Sequence, residues 1–216
     1  MTPAEKMVAE QLVPHGVTDE RVLRAMASIP RDEFLSGLAR RHAYEDRALA
    51  IECGQTISQP LVVALMTQAL ALKPDAVVLE VGTGSGYQAA VLSRLCGHVT
   101  TLELEPALAE HAAATLRRLG FDNVDVAVAD GSQGWPSAAP YDAILVACAA
   151  RTLPAALVEQ VVDGGHIVIP VNQGSDQPQD LRLYTRRGAD VTHRSLFPVL
   201  FVPLRGAGSG SGAGAG

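Results

Sequence analysis

Leu79-Glu80-Val81-Gly82-Thr83-Gly84-Ser85-Gly86-Tyr87 decides the fold of this chain. Just upstream, Ala76-Val77-Val78-Leu79-Glu80-Val81 has the β-branched, nearly continuous apolar character of a strand covered on both faces of a parallel sheet. Gly82, Gly84 and Gly86 strip side chains from alternate positions of the turn, and Tyr87-Gln88-Ala89-Ala90-Val91-Leu92 resumes at helical spacing. A ligand can approach such a backbone closely, at a helix N-terminus whose unpaired N–H groups and positive dipole end favour an anionic group. The competing reading is a Gly-rich turn with no ligand, in which three glycines would cost backbone entropy for no gain.

The spacing bears on which cofactor. A dinucleotide loop reads G-x-G-x-x-G, whereas here the third glycine comes one residue early and Glu80 stands two before the first. An anionic Glu80 disfavours a pyrophosphate but can help position, directly or through water, a cofactor bearing an ammonium group and a sulfonium. The E-x-G-x-G-x-G pattern resembles the first motif of class I S-adenosylmethionine-dependent methyltransferases. That resemblance implies S-adenosyl-L-methionine as cofactor, with Glu80, Gly82, Thr83, Gly84, Ser85 and Gly86 at its site, on a Rossmann-like, doubly wound, mostly parallel α/β sheet with helices on both faces.

His98 to Glu103 reads as a second strand ending in a carboxylate, and Glu105-Pro106 opens the following helix. Glu103 falls about twenty residues past the first glycine, where an acid in such a sheet can accept both ribose hydroxyls. Glu105 has a competing explanation as a first-turn acid. A third strand, Val124 to Ala129, stops at Asp130-Gly131. Asp130 can reach an adenine amino group while Gly131 lets the ring lie near the backbone, although an Asp-Gly turn also accounts for the pair.

The chain has 216 residues, 48% hydrophobic and 19% charged, enough to bury a full core as one domain. A net charge of −6 argues against a nucleic-acid partner, because no basic stripe exists to neutralise phosphates. Cys53, Cys96 and Cys148 lack C-x-x-C spacing and are odd in number, and the six histidines show no paired spacing, so neither a disulfide frame nor a metal site is expected. The start of the chain carries no secretory pattern and no apolar run reaches membrane length. The expectation is a cytoplasmic protein with no membrane partner.

Residues 1–74 read as a helical segment with helices at Ala4–Val13, from a Thr18 or Asp19 cap through Met26, and at Pro60–Leu72. From Ala76 to Val171 strands and helices alternate, with strands at Tyr141–Ala147 and His166–Val171 flanking a helix at Pro154–Val162, the pattern of right-handed crossovers and a parallel sheet. Residues 172–205 hold closely spaced β-rich runs suited to antiparallel pairing at the sheet edge. Residues 1–205 are thus read as a single domain, with 75–171 as its cofactor-binding core. Residues 206–216 contain only Gly, Ala and Ser and read as a flexible coil, either an added linker or a natural tail.

Gly54-Gln55-Thr56-Ile57-Ser58-Gln59-Pro60, taken with Leu79–Gln88, Asp130-Gly131, Gly134-Trp135, Ala139-Pro140-Tyr141-Asp142, Gly164-Gly165 and Phe201-Val202-Pro203-Leu204, resembles the protein-L-isoaspartate (D-aspartate) O-methyltransferase family over residues 5–205. The resemblance implies methylation of the misplaced α-carboxylate of isoaspartyl residues in damaged proteins and peptides, starting a succinimide-mediated repair. It places the active-site serine at Ser58, with Thr56, Ile57 and Gln59 around the acceptor, in what is expected to be a monomer. A carboxylate is ionised at neutral pH, with an ordinary pKa of about 4, so methyl transfer to it needs no general base. Thr56 and Ser58 can bond a carboxylate without neutralising it. The alternative is that either one merely caps the helix opened at Pro60.

Three positions depart from the family pattern. Glu52-Cys53 stands where small or apolar residues including glycine are usual, Ala129 replaces a glycine, and Asn172 follows Pro170-Val171 in place of glycine. Glu52 and Asn172 adjoin the segments that hold the acceptor in the family, which keeps open a dedicated aspartate methyltransferase that converts one ribosomally made peptide to an aspartimide. A non-catalytic cofactor- or peptide-binding module is the reading of another class; it would keep the glycine loop without needing Ser58.

Overall fold

The structure, a computed structural model, describes residues 1–174 and 177–207. Helix α1 spans Pro3–Met7 behind a Thr2–Glu5 capping box, and the chain continues helically through a π turn at Val8–Leu12 to Gly16. Asp19 caps α2 (Glu20–Ser28), its carboxylate accepting from the Arg21 and Val22 amides. A two-stranded ribbon of β1 (Leu49–Ala50) and β2 (Thr56–Ile57) then leads into α3 (Pro60–Ala69). The sequence extends α3 to Leu72, but Ala71 takes a left-handed conformation (φ 49°) and the helix ends before it.

The alternating region builds β3 (Val77–Val81), α4 (Tyr87–Ser93), β4 (His98–Glu103), α5 (Pro106–Arg118), β5 (Val124–Val128), β6 (Tyr141–Val146), α6 (Ala155–Gln160) and β7 (Val161–Val171). β8 (Gln179–Arg187) and β9 (Asp190–Val199) complete a seven-stranded sheet in the order β5-β4-β3-β6-β7-β8-β9. The pairs from β5 through β7 are parallel, and β7/β8 and β8/β9 are antiparallel. The doubly wound sheet with an antiparallel C-terminal edge and a helical N-terminal segment is the fold class expected. α6 is shorter and β7 longer than the sequence suggests, because Val161 already pairs with Tyr141 before a bulge restores the register at His166.

Strand β3 shows why the sheet is two-sided. Val78 packs in the core under the N-terminal helices and α4, while Leu79 and Val81 pack in the opposite core with Ile144, Val146 and Leu157 of α6. Burying each such side chain stabilises the fold by roughly 1.5–3 kcal/mol. The chain runs from β3 outward to β4 and β5, then crosses back to β6 on the other side of β3. That reversal opens a crevice beyond the carboxyl ends of β3, β4 and β6, where open α/β sheets take ligands. The Gly/Ala/Ser tail, apart from Gly206 and Ala207, lies outside the described residues.

Candidate active site

The crevice is walled by the glycine loop from Gly82 to Ser85, by Leu102–Leu104 at the end of β4, by Ala129 and Gly131 after β5, and by Ala147 and Cys148 after β6. Gly82, Gly84 and Gly86 all have positive φ (94°, 52° and 88°), a conformation that disfavours any side chain. A Cβ on Gly84 would project to within 3.8 Å of Ile51 and 3.9 Å of the Thr56 carbonyl, so glycine keeps open the space between this loop and the ribbon. A Cβ on Gly131 would run into Val81. Gly82 and Thr83 donate to the Leu102 carbonyl (2.9 and 3.1 Å), and the Thr83 and Thr101 hydroxyls bond at 2.7 Å, which ties the loop to β4.

The buried Glu103 carboxylate accepts from the backbone amides of Gly84 (2.8 Å), Leu104 (2.9 Å) and Glu105 (3.1 Å). Three of its roughly four lone-pair positions are thereby engaged, leaving a second acceptor position on Oε2. Glu105 makes no side-chain cap to α5 and instead pairs with Arg205 at 2.8 Å. Asp130 does not line the crevice; its Oδ1 accepts from the Ser132 amide and hydroxyl, and its Oδ2 from the Ala207 amide at 2.8 Å. Burial alone would raise the Asp130 pKa, but these donors outweigh it and hold the carboxyl below its usual range.

Glu80 differs from the expectation of an anion beside the loop. Its side chain is fully enclosed, does not reach the crevice wall, and leaves both carboxyl oxygens without a hydrogen-bond partner. Burial pushes its pKa up to about 8, with the Glu103 charge adding to the rise, so the neutral acid predominates at pH 7. Gly86 is likewise outside the wall; it packs against Ala112 and Leu116 of α5 and starts α4. Neither Glu80 nor Gly86 lines the crevice, whereas the sequence placed both at the cofactor site, Glu80 acting directly or through water.

Thr56, Ile57 and Ser58 line the crevice opposite the glycine loop, and Thr56 and Ser58 also line a second, wider groove walled by Leu61, Val62, Leu65, Phe197 and Phe201. Gln59 lines this groove only. Among the described residues neither the Thr56 nor the Ser58 hydroxyl has a hydrogen-bond partner. The helix-capping alternative does not hold, because the N-cap of α3 is Gln59 and no side chain of 56–59 caps it. Asp46 takes that place from a distance, accepting from Gln59 Nε2 (2.8 Å) and the Leu61 amide (3.4 Å).

Glu52 turns away from both spaces: it lines neither, and accepts from the Ser36 hydroxyl at 3.0 Å. A backbone hydrogen bond of its own, then the Ser36 bond, lower its pKa. Cys53 is exposed with φ 57°, a left-handed conformation that glycine adopts more readily than cysteine. Asn172 is exposed and joins neither wall; its amide donates to Ala150. Three contributors were not singled out from sequence. Gln88 lines the crevice and bonds Thr67 at 2.9 Å, and Val202–Arg205 cross the crevice, anchored through Ala149. Buried Arg31 bonds the Ser58 carbonyl. The Phe201–Leu204 run carried a signal in the family resemblance, whereas Arg31 stands beside Asp32 and Glu33 with nothing in the sequence to mark it as buried.

Comparison with known proteins bears on this geometry. The profile of the family described as protein-L-isoaspartate(D-aspartate) O-methyltransferase matches residues 3–209. The chain is 51% identical over 205 residues to the protein-L-isoaspartate O-methyltransferase of Roseiflexus castenholzii, covering 95% of this chain and 93% of that one. It is 50% identical over 199 residues to the Opitutus terrae protein of the same name, covering 92% and 85%. A solved protein-L-isoaspartate O-methyltransferase superposes with a TM-score of 0.87 at 31% identity, over 96% of this chain and 67% of that chain. The Plasmodium falciparum protein, described as a protein-L-isoaspartate O-methyltransferase in complex with S-adenosyl-L-homocysteine, superposes with a TM-score of 0.81 at 26% identity, over 95% and 99%.

Proposed function

This chain belongs to the protein-L-isoaspartate(D-aspartate) O-methyltransferase family, and from that premise we propose how its residues divide the reaction. It is an S-adenosyl-L-methionine-dependent methyltransferase that esterifies the free carboxylate of L-isoaspartyl and D-aspartyl residues in damaged proteins and peptides, the step that opens repair through a succinimide. The observation that carries the assignment of roles is that Thr56 and Ser58, whose hydroxyls have no hydrogen-bond partner among the described residues, both line the crevice and the groove.

The crevice fits the cofactor on its own geometry, because Gly84 leaves the gap between the glycine loop and the ribbon free of a side chain, Gly131 lets its turn pack directly on Val81, and Glu103 keeps an acceptor position on the inner wall. Glu103 would take the ribose hydroxyls, Gly82–Ser85 the methionine portion, and Ala129 and Gly131 the face of the adenine, while Asp130, outside the wall, would shape the turn that carries Gly131 through its bonds to Ser132. Glu80 and Gly86 hold the loop in shape. When bound, S-adenosylmethionine supplies an electrophilic methyl on a positively charged sulfur. Ser58 and Thr56 orient the acceptor carboxylate from the groove side by donating hydrogen bonds, which leaves its charge and nucleophilicity intact. Positioning of this kind can lower the barrier by on the order of 7 kcal/mol.

The apolar groove beyond Ser58 suits an extended peptide. The two departures that favoured a single dedicated peptide, Glu52 and Asn172, point elsewhere, which supports a broad repair substrate. We read residues 1–205 as one methyltransferase domain acting as a cytoplasmic monomer, with no nucleic-acid or membrane partner. The free thiols and net charge of −6 support this reading, and no helix among the described residues is long and apolar enough to cross a membrane. The test is to incubate the protein with S-adenosylmethionine and a short isoaspartyl peptide and follow it by mass spectrometry. A methyl ester followed by a succinimide is expected; a protein that binds the cofactor yet forms no ester on several isoaspartyl peptides would overturn the reading.

A further inference from the structure

We propose that Arg31 is a positioning residue for methyl transfer, a buried guanidinium that holds the acceptor loop in register with the cofactor loop. Its Nη2 donates to the Ser58 carbonyl at 2.7 Å and its Nε to the Ala43 carbonyl at 2.7 Å. Its Cζ lies 4.7 Å from the centroid of the Tyr87 ring, and Tyr87 is the first residue of α4, directly after the glycine loop. The ring is itself fixed, with the edge of Phe34 5.4 Å away between centroids. One side chain therefore touches both segments whose separation sets the distance from acceptor to methyl donor.

The cost of this arrangement argues for a role beyond packing. Arg31 is 0% exposed, no carboxylate hydrogen-bonds to it among the described residues, Nη1 has no hydrogen-bond acceptor, and burial lowers its pKa, offset only in part by the Tyr87 phenol and the more distant Asp46 charge. A buried, incompletely paired charge is a poor stabiliser, and apolar residues of similar volume commonly serve a core as well or better. What an apolar residue cannot do is grip a carbonyl. By holding the Ser58 main chain from behind, Arg31 fixes the loop while leaving the Ser58 hydroxyl for substrate. The cation–π contact with Tyr87 sets that grip relative to the donor loop. Asp46 secures the next residue by accepting from the Gln59 side-chain Nε2.

This inference rests on the acceptor role given to Ser58, and its test keeps the two separable. Arg31→Met and Arg31→Lys would be compared with the unmodified protein in kcat and KM on an isoaspartyl peptide, in S-adenosylhomocysteine affinity by calorimetry, and in amide hydrogen exchange of the cofactor-analogue complex. Arg31→Met is expected to lower kcat roughly ten-fold or more, leave S-adenosylhomocysteine affinity within about three-fold, and speed exchange at 55–59 but not at 77–86. Lysine reaches at most one of the two carbonyls and should restore part of kcat. Should the methionine variant fail to fold, the lysine variant carries the same comparison against the unmodified protein. Unchanged kcat and unchanged exchange in a folded variant would overturn the proposal, as would equal loosening of both segments. If the unmodified protein methylates no isoaspartyl peptide, the functional reading falls, and the exchange pattern still decides whether Arg31 holds the acceptor loop selectively.

Discussion

Glu103 and Ser58 both line the crevice, and the chain holds them by different means. The Glu103 carboxylate accepts three backbone N–H groups, from residues one, two and nineteen positions away, all within one strand–loop–helix unit and its neighbour. Ser58 is gripped by its carbonyl from Arg31, twenty-seven positions away, and its hydroxyl is left free. The donor half is thus built by local chain geometry, with its functional group locked into the scaffold. The acceptor half is positioned by remote side chains, Arg31 on the Ser58 carbonyl and Asp46 on Gln59 and Leu61, and its hydroxyls are left without hydrogen-bond partners among the described residues. A cofactor of constant structure suits the first arrangement, and an acceptor presented by many different peptides suits the second.

If the halves are separable in this way, substitutions should separate binding from turnover. Ser58→Ala carries the largest expected effect: methyl transfer falls ten- to a thousand-fold, on the order of losing a group that orients the reacting carboxylate, while calorimetry finds S-adenosylhomocysteine affinity nearly intact. A folded Ser58→Ala protein with normal turnover would remove the hydroxyl from the reaction. Glu103→Ala should do the reverse. It removes charge-assisted bonds worth roughly 1.5–3 kcal/mol each, so the dissociation constant for S-adenosylhomocysteine should rise about ten-fold or more. Because the same carboxylate braces Gly84, slackening of the glycine loop should accompany the loss.

The two halves were also unequally legible in the sequence. Strand β3, the three glycines and the carboxylate ending β4 follow from apolar patterning and spacing, because their contacts are made by neighbouring segments of chain. The site role of Ser58 came from the resemblance of G-Q-T-I-S-Q-P to a family, and nothing local showed what holds it. Arg31 and Asp46 sit in charged, polar surroundings in the sequence, and only the tertiary fold brings them behind residues 58–61. Glu80 was legible as part of the loop but not as a buried acid, since alternation along β3 turns it to the Val78 face and away from the crevice. The Ala207 amide on Asp130 depends on a crossing of the C-terminal segment over β5 that no spacing rule describes.

The buried acid on the donor side leaves a pH signature opposite in sign to that of Glu52, whose pKa is lowered. Glu80 has an ordinary pKa of 4.5 when the chain is unfolded and about 8 in the fold, so the folded state keeps a proton that the unfolded state releases. Its contribution to stability is fully present below about 4.5 and is lost as pH rises towards 8. Denaturant titrations of the cofactor-free protein should show that decline, and Glu80→Gln should flatten it; identical slopes in both proteins would place the titration elsewhere. The smallest effect belongs to the acceptor side. Cys53→Gly relieves a left-handed backbone position (φ 57°) and should stabilise the fold by up to about 1 kcal/mol, with kcat unchanged; a destabilised glycine variant would mean that the Cys53 side chain contributes packing.

If the acceptor loop orients a carboxylate through hydroxyls as proposed, next to a groove lined largely by apolar side chains, the protein should recognise the isoaspartyl linkage and tolerate its surroundings. The decisive measurement is the ratio of kcat/KM for matched isoaspartyl and aspartyl peptides across several unrelated sequences. The account predicts a ratio on the order of a thousand-fold in favour of the isoaspartyl member, equivalent to about 4 kcal/mol, and similar from one sequence to the next. Methylation that follows one particular sequence, whichever linkage its aspartate carries, would contradict it.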